Sequence, residues 1–430
     1  MRKKLFIVGL LFVSINIYGQ DKNLSLNDLV RLALERNPKI KSMTHIVDAQ
    51  KYRIAPEGAL PDPVLSFSVK NMGLDRWTVG QEVMSGVGVS VSQMVPFPGK
   101  LKLKSEMATQ KALQTEEGLR AAKLAVVREV KELYARLFYY RKARELLINK
   151  KDILENALKT AEAKYAVGQG VQPDIFKAQV EISGIEEMVL TMDGMAQSAK
   201  AGLNSALDFP PENPLVMPEE IPLSSLAVDL KQIQAAASKN SPLLRNAALM
   251  IEGSNLEVAM AKKEFYPNFM IQAGKDFKGV LPDMYEVMIG VEIPLFYRQK
   301  QAGLLEESVA RLSSSKEDLS SMKNDLNAML SENFLMAKTS ENLIKLYKEK
   351  IIPQTTLALE SSMANYQVNK VDFLMLLSDI NALFSTQMEY FKNLTNLWAA
   401  AAKIEELTSL ELIKPANESG QGENHEKNME

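Results

Sequence analysis

Between Lys100 and Ala166 the sequence has no proline, and Gly118 is its only glycine. Nothing in that run stops a helix, and at ~1.5 Å per residue an unbroken one would be a rod of roughly 100 Å. A second run, from about Arg298 towards Asn365, has the same character and is interrupted only by Pro353. Each is followed by a shorter returning helix, Gln172 to Leu207 and Val371 to Leu407. A lone rod cannot bury its apolar stripe, so these helices must pack on each other or on other copies of the chain. The stripes are there: Val126, Val130, Leu133 and Leu137 in the first rod, and Met322, Leu326, Met329, Met336 and Leu343 in the second. The charged residues between the stripes, Arg128, Glu129, Lys131 and Glu132, read as a solvated face.

The rods belong to a duplication. "LNDLVRLALERNPKI" from Leu26 is echoed by "LKQIQAAASKNSPLLR" from Leu230, so that Asn37-Pro38 matches Ser241-Pro242. Three further landmarks follow in the same order, each displaced by about 200 residues: "LPDPVLSFSV" and "FYPNFMIQAG", "SVSQMVPFPGK" and "IGVEIPLFYRQ", "KYAVGQGVQPDIF" and "NYQVNKVDFLM". Pro210, Pro211, Pro214, Pro218 and Pro222 mark the seam. The expected organisation is a leader over 1–19, a first repeat over 20–209, a proline-rich linker over 210–222, a second repeat over 223–410 and a disordered polar tail over 411–430. Each repeat is read as a short helix, two strands and two long helices.

The strands alternate. Leu65, Phe67 and Val69 oppose Ser66, Ser68 and Lys70; Val87, Val89 and Val91 oppose Gly88, Ser90 and Ser92. In the second repeat Phe269, Ile271 and Ala273 oppose Met270, Gln272 and Gly274, and Tyr285, Val287, Ile289 and Val291 oppose Glu286, Met288, Gly290 and Glu292. A soluble sandwich with one wet face gives the same alternation, but only four strands are visible, and two of them run straight into helices far too long to cover a small sheet. Four strands cannot close a bilayer-spanning barrel, since an open edge in lipid leaves backbone groups unsatisfied and barrels start at about eight strands. Several chains must then share one barrel. The corners at Pro96, Pro98, Gly99 and Pro294 are expected to end the strand ladder and set the first turn of a helix leading away from the membrane. The fold expected is an α+β membrane protein with helices prolonging the barrel into a tube.

The first residues fit export: Arg2, Lys3 and Lys4, an apolar run from Leu5 to Ile17, then Tyr18-Gly19-Gln20, so the mature chain is expected to begin near Gln20. There is no cysteine, hence no disulfide framework, no thiolate chemistry and no acyl anchor. A net charge of -2 gives no invitation to nucleic acid. His45 and His425 stand far apart, and no nucleophile–base motif or phosphate-binding loop is present, so an enzyme is not expected, nor a cofactor or a zinc-type metal site. The 22 methionines are soft ligands in principle, but Met322, Met329 and Met336 fit a packing stripe.

"SQMVPFPGKLKLKSE", the two Tyr-bearing tips, the duplication and the leader together resemble the outer membrane efflux protein family, the TolC-like channels, over nearly the whole mature chain. "LPDPVLSFSVKNMGLDRW" with "SQMVPFPGK" is most similar to the branch that exports heavy metals or copper. The resemblance implies a homotrimer in which each chain gives four strands to one twelve-stranded barrel in the outer membrane of a Gram-negative bacterium. Twelve long helices then form a periplasmic conduit, supplied by an inner-membrane pump of RND type through a periplasmic adaptor. Many relatives carry a lipidated cysteine that is missing here. The alternative from a different class is a periplasmic coiled-coil adaptor or scaffold that never enters lipid; strands of membrane length with one apolar face would separate the two.

The helix turns are the candidate functional sites. Gly and Asn tolerate positive φ, so Gly168, Gly170 and Asn369 allow tight reversals. From composition alone these are two helix hairpins; the resemblance makes Tyr165, Gly168, Gly170, Tyr366, Asn369 and Lys370 the adaptor contact. By the same resemblance Asp372 narrows the channel entrance, and in a trimer it would form a ring of three carboxylates. Alone, Asp372 reads equally as a charge complementing a helix N-terminus. Asp174, taken as its match in the first repeat, has the same two readings, and the preceding Pro173 favours capping. A second family aspartate one turn later is replaced by Met375.

Overall fold

The computed structural model of the chain describes residues 25–72, 79, 81–214, 221 and 228–412. The leader, the Trp77 loop, Pro218, Pro222 and the tail from 413 lie outside the described residues. The short helix expected at the head of each repeat is instead a pair, broken at the matched X-Pro steps. In the first repeat α1 (Leu26–Arg36) and α2 (Pro38–Gly58) meet at Asn37, whose φ of -52° and ψ of 122° are those forced on a residue preceding proline. Asn37 then caps α2 by accepting from the Lys39 N–H at 3.0 Å, and donates to the Ala206 carbonyl at 2.9 Å. Ser241-Pro242 repeats the break between α5 (Leu230–Asn240) and α6 (Pro242–Lys263).

The strands β1 (Val64–Lys70), β2 (Gly86–Val95), β3 (Asn268–Phe277) and β4 (Met284–Glu292) form one antiparallel sheet in chain order. Its register keeps the two sequence classes apart. Leu65, Val91, Ala273 and Val287 lie in one row across the sheet, and Ser66, Ser90, Gly274 and Glu286 in the next. The apolar face is bare: Phe67 is 74% exposed, Tyr285 79%, Val287 75% and Ile289 71%. On the polar face the Lys70 ammonium reaches Asp276 at 2.8 Å and Glu286 at 3.0 Å. With 10, 10 and 9 residues, β2, β3 and β4 match the ~9–11 that cross a bilayer; β1, with 7, is shorter. Among the described residues both outer edges, β1 and β4, are unpaired. No described helix is both long and apolar enough to cross a membrane.

From β2 the chain enters α3 (Lys100–Ala166), a single helix of 67 residues. Gly99 makes the corner with φ +94°, a conformation costly for a residue with a Cβ. The second corner differs from expectation. Pro294 follows β4, but turns rather than a helix come next, and α7 (Gln301–Leu346) starts three residues later than Arg298. After α7 comes a π-helical turn, Tyr347–Ile351, and then α8 (Ile352–Gln367). The π turn lies just before Pro353, which has no N–H to give and whose ring, in a regular helix, would crowd the carbonyl four residues earlier, that of Glu349. α4 (Gln172–Ala206) and α9 (Phe373–Thr408) return along these rods.

Three apolar clusters hold the helices together: one around Phe138, Leu397 and Trp398, one nearer the tips around Leu154, Ile185, Phe373 and Ile380, and one around Ile233, Leu330 and Ile404. The first expected stripe is largely buried, with Val126, Val130 and Leu137 inside and Leu133 packed on them. The second is not: Leu326 is buried, but Met322 and Met336 face outwards, and Leu330, Ala337 and Ile344 are buried instead. The solvated face expected around Lys131 is also corrected. Lys131 and Glu405 form a buried ion pair at 2.5 Å, flanked by Arg128 bound to Glu132 at 2.7 Å and Glu406 at 3.0 Å, because α9 covers this side of α3.

Candidate functional site at the paired helix tips

The two helix reversals are built alike. At the end of α3 the Gly168 N–H donates to the Tyr165 carbonyl at 3.0 Å and the Gln169 N–H to the Lys164 carbonyl at 2.8 Å. At the end of α8 the Asn369 N–H donates to Tyr366 at 3.2 Å and the Lys370 N–H to Asn365 at 2.9 Å. Gly168 (φ +73°) and Asn369 (φ +60°) take the left-handed conformation that closes a helix, by the two residues best able to adopt it. Gly170 is needed for another reason: a Cβ there would lie 3.0 Å from the Tyr165 nitrogen and 3.1 Å from the Lys164 Cβ.

The tips lie side by side. Asn369 donates from Nδ2 to Gln169 Oε1 at 3.3 Å, and the buried Lys164 ammonium donates across to Asn369 Oδ1 at 2.7 Å and to the Tyr366 carbonyl. The same ammonium sits 3.8 Å from the centre of the Tyr366 ring, which packs edge-on to Phe373 at 5.9 Å. Burial lowers the Lys164 pKa, opposed by the nearby Asp174. Lys164 was not foreseen, since a lysine in the last turn of a helix ordinarily points to water. Its counterpart in the second repeat is Asn365, whose side chain, among the described residues, bonds only to Ser361 in its own helix, so the bridge is one-sided.

The matched tyrosines differ. Tyr165 is half exposed, whereas Tyr366 is buried and packs within the tip. The exposed apolar side chains at this end are Val167, Val171, Val368, Leu374 and Met375. Lys370 is exposed beside them.

The carboxylates are not equivalent either. Asp372 is the N-cap of α9, accepting from the Met375 N–H at 2.8 Å. The N-cap of α4 is Val171, with no side-chain cap, and Asp174 lies within the first turn. Asp174 is thus not the N-cap, but it stands in the first turn, where its charge complements the helix N-terminus as expected; its structural counterpart is Met375, and that of Asp372 is Val171. Burial, then the like charge of Asp372, raises the Asp174 pKa above the ordinary carboxylate value, against the lowering by Lys177 and Lys164. The two acids thus share one field although they come from different hairpins.

With that geometry in place, the comparison with known families is specific. Residues 29–208, the first repeat, match the family model described as outer membrane efflux protein. Over this span, less than half of the chain, the sequence is similar to that family. Among solved structures, CusC, known for transmembrane channel formation, is 17% identical at a TM-score of 0.73, covering 88% of this chain and 91% of that one. The outer-membrane channel OprN is 14% identical, TM-score 0.75, over 90% and 91%. The outer membrane protein VceC of Vibrio cholerae is 16% identical, TM-score 0.75, over 89% and 95%. At such identities the likeness is one of fold, and it extends over both repeats. No curated protein matches the sequence.

Proposed function

We propose that the chain is the outer-membrane channel of a tripartite efflux system. The observation that carries this reading is the sheet: four antiparallel strands with a bare apolar face, a polar face and two unpaired edges, leading into rods of helix. A periplasmic scaffold would have no use for so much exposed apolar strand surface. Three copies close one twelve-stranded barrel in the outer membrane of a Gram-negative bacterium, its polar face lining the duct, and the helices extend it into the periplasm. The tips, with Tyr165, Gly168, Asn369 and Lys370 at the surface, receive a periplasmic adaptor that links them to an inner-membrane pump of RND type.

Asp372, and behind it Asp174, constrict the entrance and favour cations. The cargo is a heavy-metal cation such as copper, or a drug; the likeness to CusC, OprN and VceC together does not choose between them. The channel itself carries out no reaction. Planar-bilayer conductance of the purified mature protein tests the reading: discrete, long-lived, cation-preferring steps are expected. A folded protein that fails to insert into lipid would replace the channel by the scaffold.

A further inference from the structure

On the polar face of the sheet, methionine stands where the alternation calls for a polar side chain. Met94, Met270 and Met288 share that face with Ser92, Gln272 and Glu292. Met94 and Met270 are direct partners across β2 and β3, and Gly290 continues their row on β4. Side chains opposite one another on adjacent strands lie ~4.5–5.5 Å apart and diagonal ones ~7–8 Å, within reach of a side chain as long as methionine. Gly290 makes room for the middle one. The Met270 Cε lies 3.3 Å from the point where a Cβ on Gly290 would stand, so the thioether is laid across β4, the strand that carries Met288 two residues earlier.

These side chains are not core filler. Met329, Met363 and Met388 pack against the helix clusters, whereas Met94 and Met288 are exposed. The same face continues below the sheet. Lys100, Lys104, Met107 and Lys111 follow one side of α3 at helical spacing, and the Lys100 ammonium donates to Asn268 Oδ1 at 3.0 Å, in the polar row of β3. Met107 and Met250 line a cavity of about 450 Å³ on that side, and Met250 and Met322 a second of about 280 Å³ beside Asp318 and Asp325. Methionine thus recurs along one surface, from the strands onto the rods.

We infer that Met94, Met270 and Met288 form a thioether site for a soft monovalent metal cation, Cu(I) or Ag(I), on the wall of the duct, an inference that rests on the channel reading and narrows its cargo. An uncharged, polarisable sulfur is a good ligand for such an ion and a poor one for Na⁺, Mg²⁺ or Ca²⁺, which take oxygen. The weakness of the ligands suits a conduit: a wall site must bind well enough to admit the ion and loosely enough to release it. No cysteine is present to hold the ion as a thiolate. One row nearer the helices stands the Glu292 carboxylate, which accepts from Asn268 Nδ2 at 3.0 Å and adds negative charge beside the sulfurs without taking their place.

The test titrates the purified mature protein, its methionine methyls labelled with carbon-13, with silver nitrate. The methyl signals of Met94, Met270 and Met288, identified by single leucine variants, are expected to move together and at lower Ag(I) than those of the other methionines. Replacing all three by leucine, which keeps the volume, is expected to weaken Ag(I) binding by about 100-fold, the upper end of what losing even an outer partner of a metal ligand costs. Met284→Leu, on the same face but opposite Asp276, is expected to bind as the parent does. Because the shifts are read on the parent, the site can fail whether or not the triple variant folds. Unmoved methyls, or parental Ag(I) affinity in a triple variant that melts like the parent, overturn the site. So does a response of the three methyls to the apolar dye N-phenylnaphthylamine without one to Ag(I), which makes them a contact for lipophilic cargo. Conductance is measured separately: a parent that conducts but ignores silver overturns the site alone, and one that binds silver at these methionines but never inserts into lipid overturns the channel reading and leaves the thioether site standing.

Discussion

The Lys164 ammonium, in the last turn of α3, donates to Asn369 Oδ1 at 2.7 Å across 205 positions of sequence, and so binds the end of the first hairpin to the cap of the second. Its other donation goes to the carbonyl of Tyr366, in the turn that Asn369 closes. Replacing Lys164 by Met keeps the stem and removes the donors. A bond from a charged group is worth ~1.5–3 kcal/mol, so amides from Asn365 to Asp372 are expected to exchange faster by a corresponding factor. Unchanged protection there would mean that the hairpins are positioned without this bond.

Asp174 makes the tips sensitive to pH. Its raised pKa means that the folded tip holds the proton more tightly than the unfolded chain. The stabilisation is full below the ordinary carboxylate value and is lost as pH rises through the raised one. Tip amides are therefore expected to gain protection, after correction for intrinsic exchange, as pH falls from neutrality towards that range. Asp174→Asn should flatten this dependence, and a variant that retains the full slope would assign it to other groups.

Asp372 combines a cap with a charge, and the two can be separated. Asp372→Ala removes both, costing α9 about 0.5–2 kcal/mol and raising leak or weakening cation preference. Asp372→Ser keeps an oxygen for the Met375 N–H. It is expected to melt like the parent and conduct like the alanine variant; parental selectivity in both would remove Asp372 from the constriction.

Gly168 and Asn369 are predicted to be interchangeable in kind. Gly168→Asn should leave thermal stability nearly unchanged, whereas Gly168→Val should cost ~1–2 kcal/mol for its left-handed backbone. Gly170→Ala is expected to destabilise as well, through contact with Tyr165 and Lys164 rather than through φ. A neutral Gly170→Ala would show that the turn can widen.

At the buried Lys131–Glu405 pair, removing one partner strands a charge. Glu405→Leu alone is expected to cost ~3–5 kcal/mol, and Lys131→Met with Glu405→Leu to recover most of it. Equal melting temperatures for the single and double variants would show that water reaches the lone lysine.

Much of this architecture was legible because it follows from strong local rules. The absence of proline, with Gly118 the only glycine, pointed to α3, alternation to the four strands and their two faces, and Gly168 and Asn369 to the reversals. What escaped notice depends on contacts between distant segments. Lys131 and Lys164 sit at helical positions indistinguishable from solvated ones until α9 and α8 are laid beside them. Met322 and Met336 kept a heptad spacing yet face outwards, because periodicity does not say which of two neighbouring stripes a partner covers. The matching of Asp174 to Asp372 followed the order of residues past each tip, but the helix starts are the true markers, and these set Asp174 against Met375. The breaks at Asn37-Pro38 and Ser241-Pro242 were visible as landmarks, and the rule that a residue before proline leaves the helix would have found both.

The two rods are not copies of one another: α3 is unbroken, while its counterpart carries a π-helical turn before Pro353. In a ring of three chains the six hairpins would therefore alternate between two kinds. However closely the repeats imitate one another, such a ring has threefold and never sixfold symmetry. A ligand meeting its tips would find three sites of each kind, so that a partner specific for one kind binds three to the ring and one that accepts both binds six.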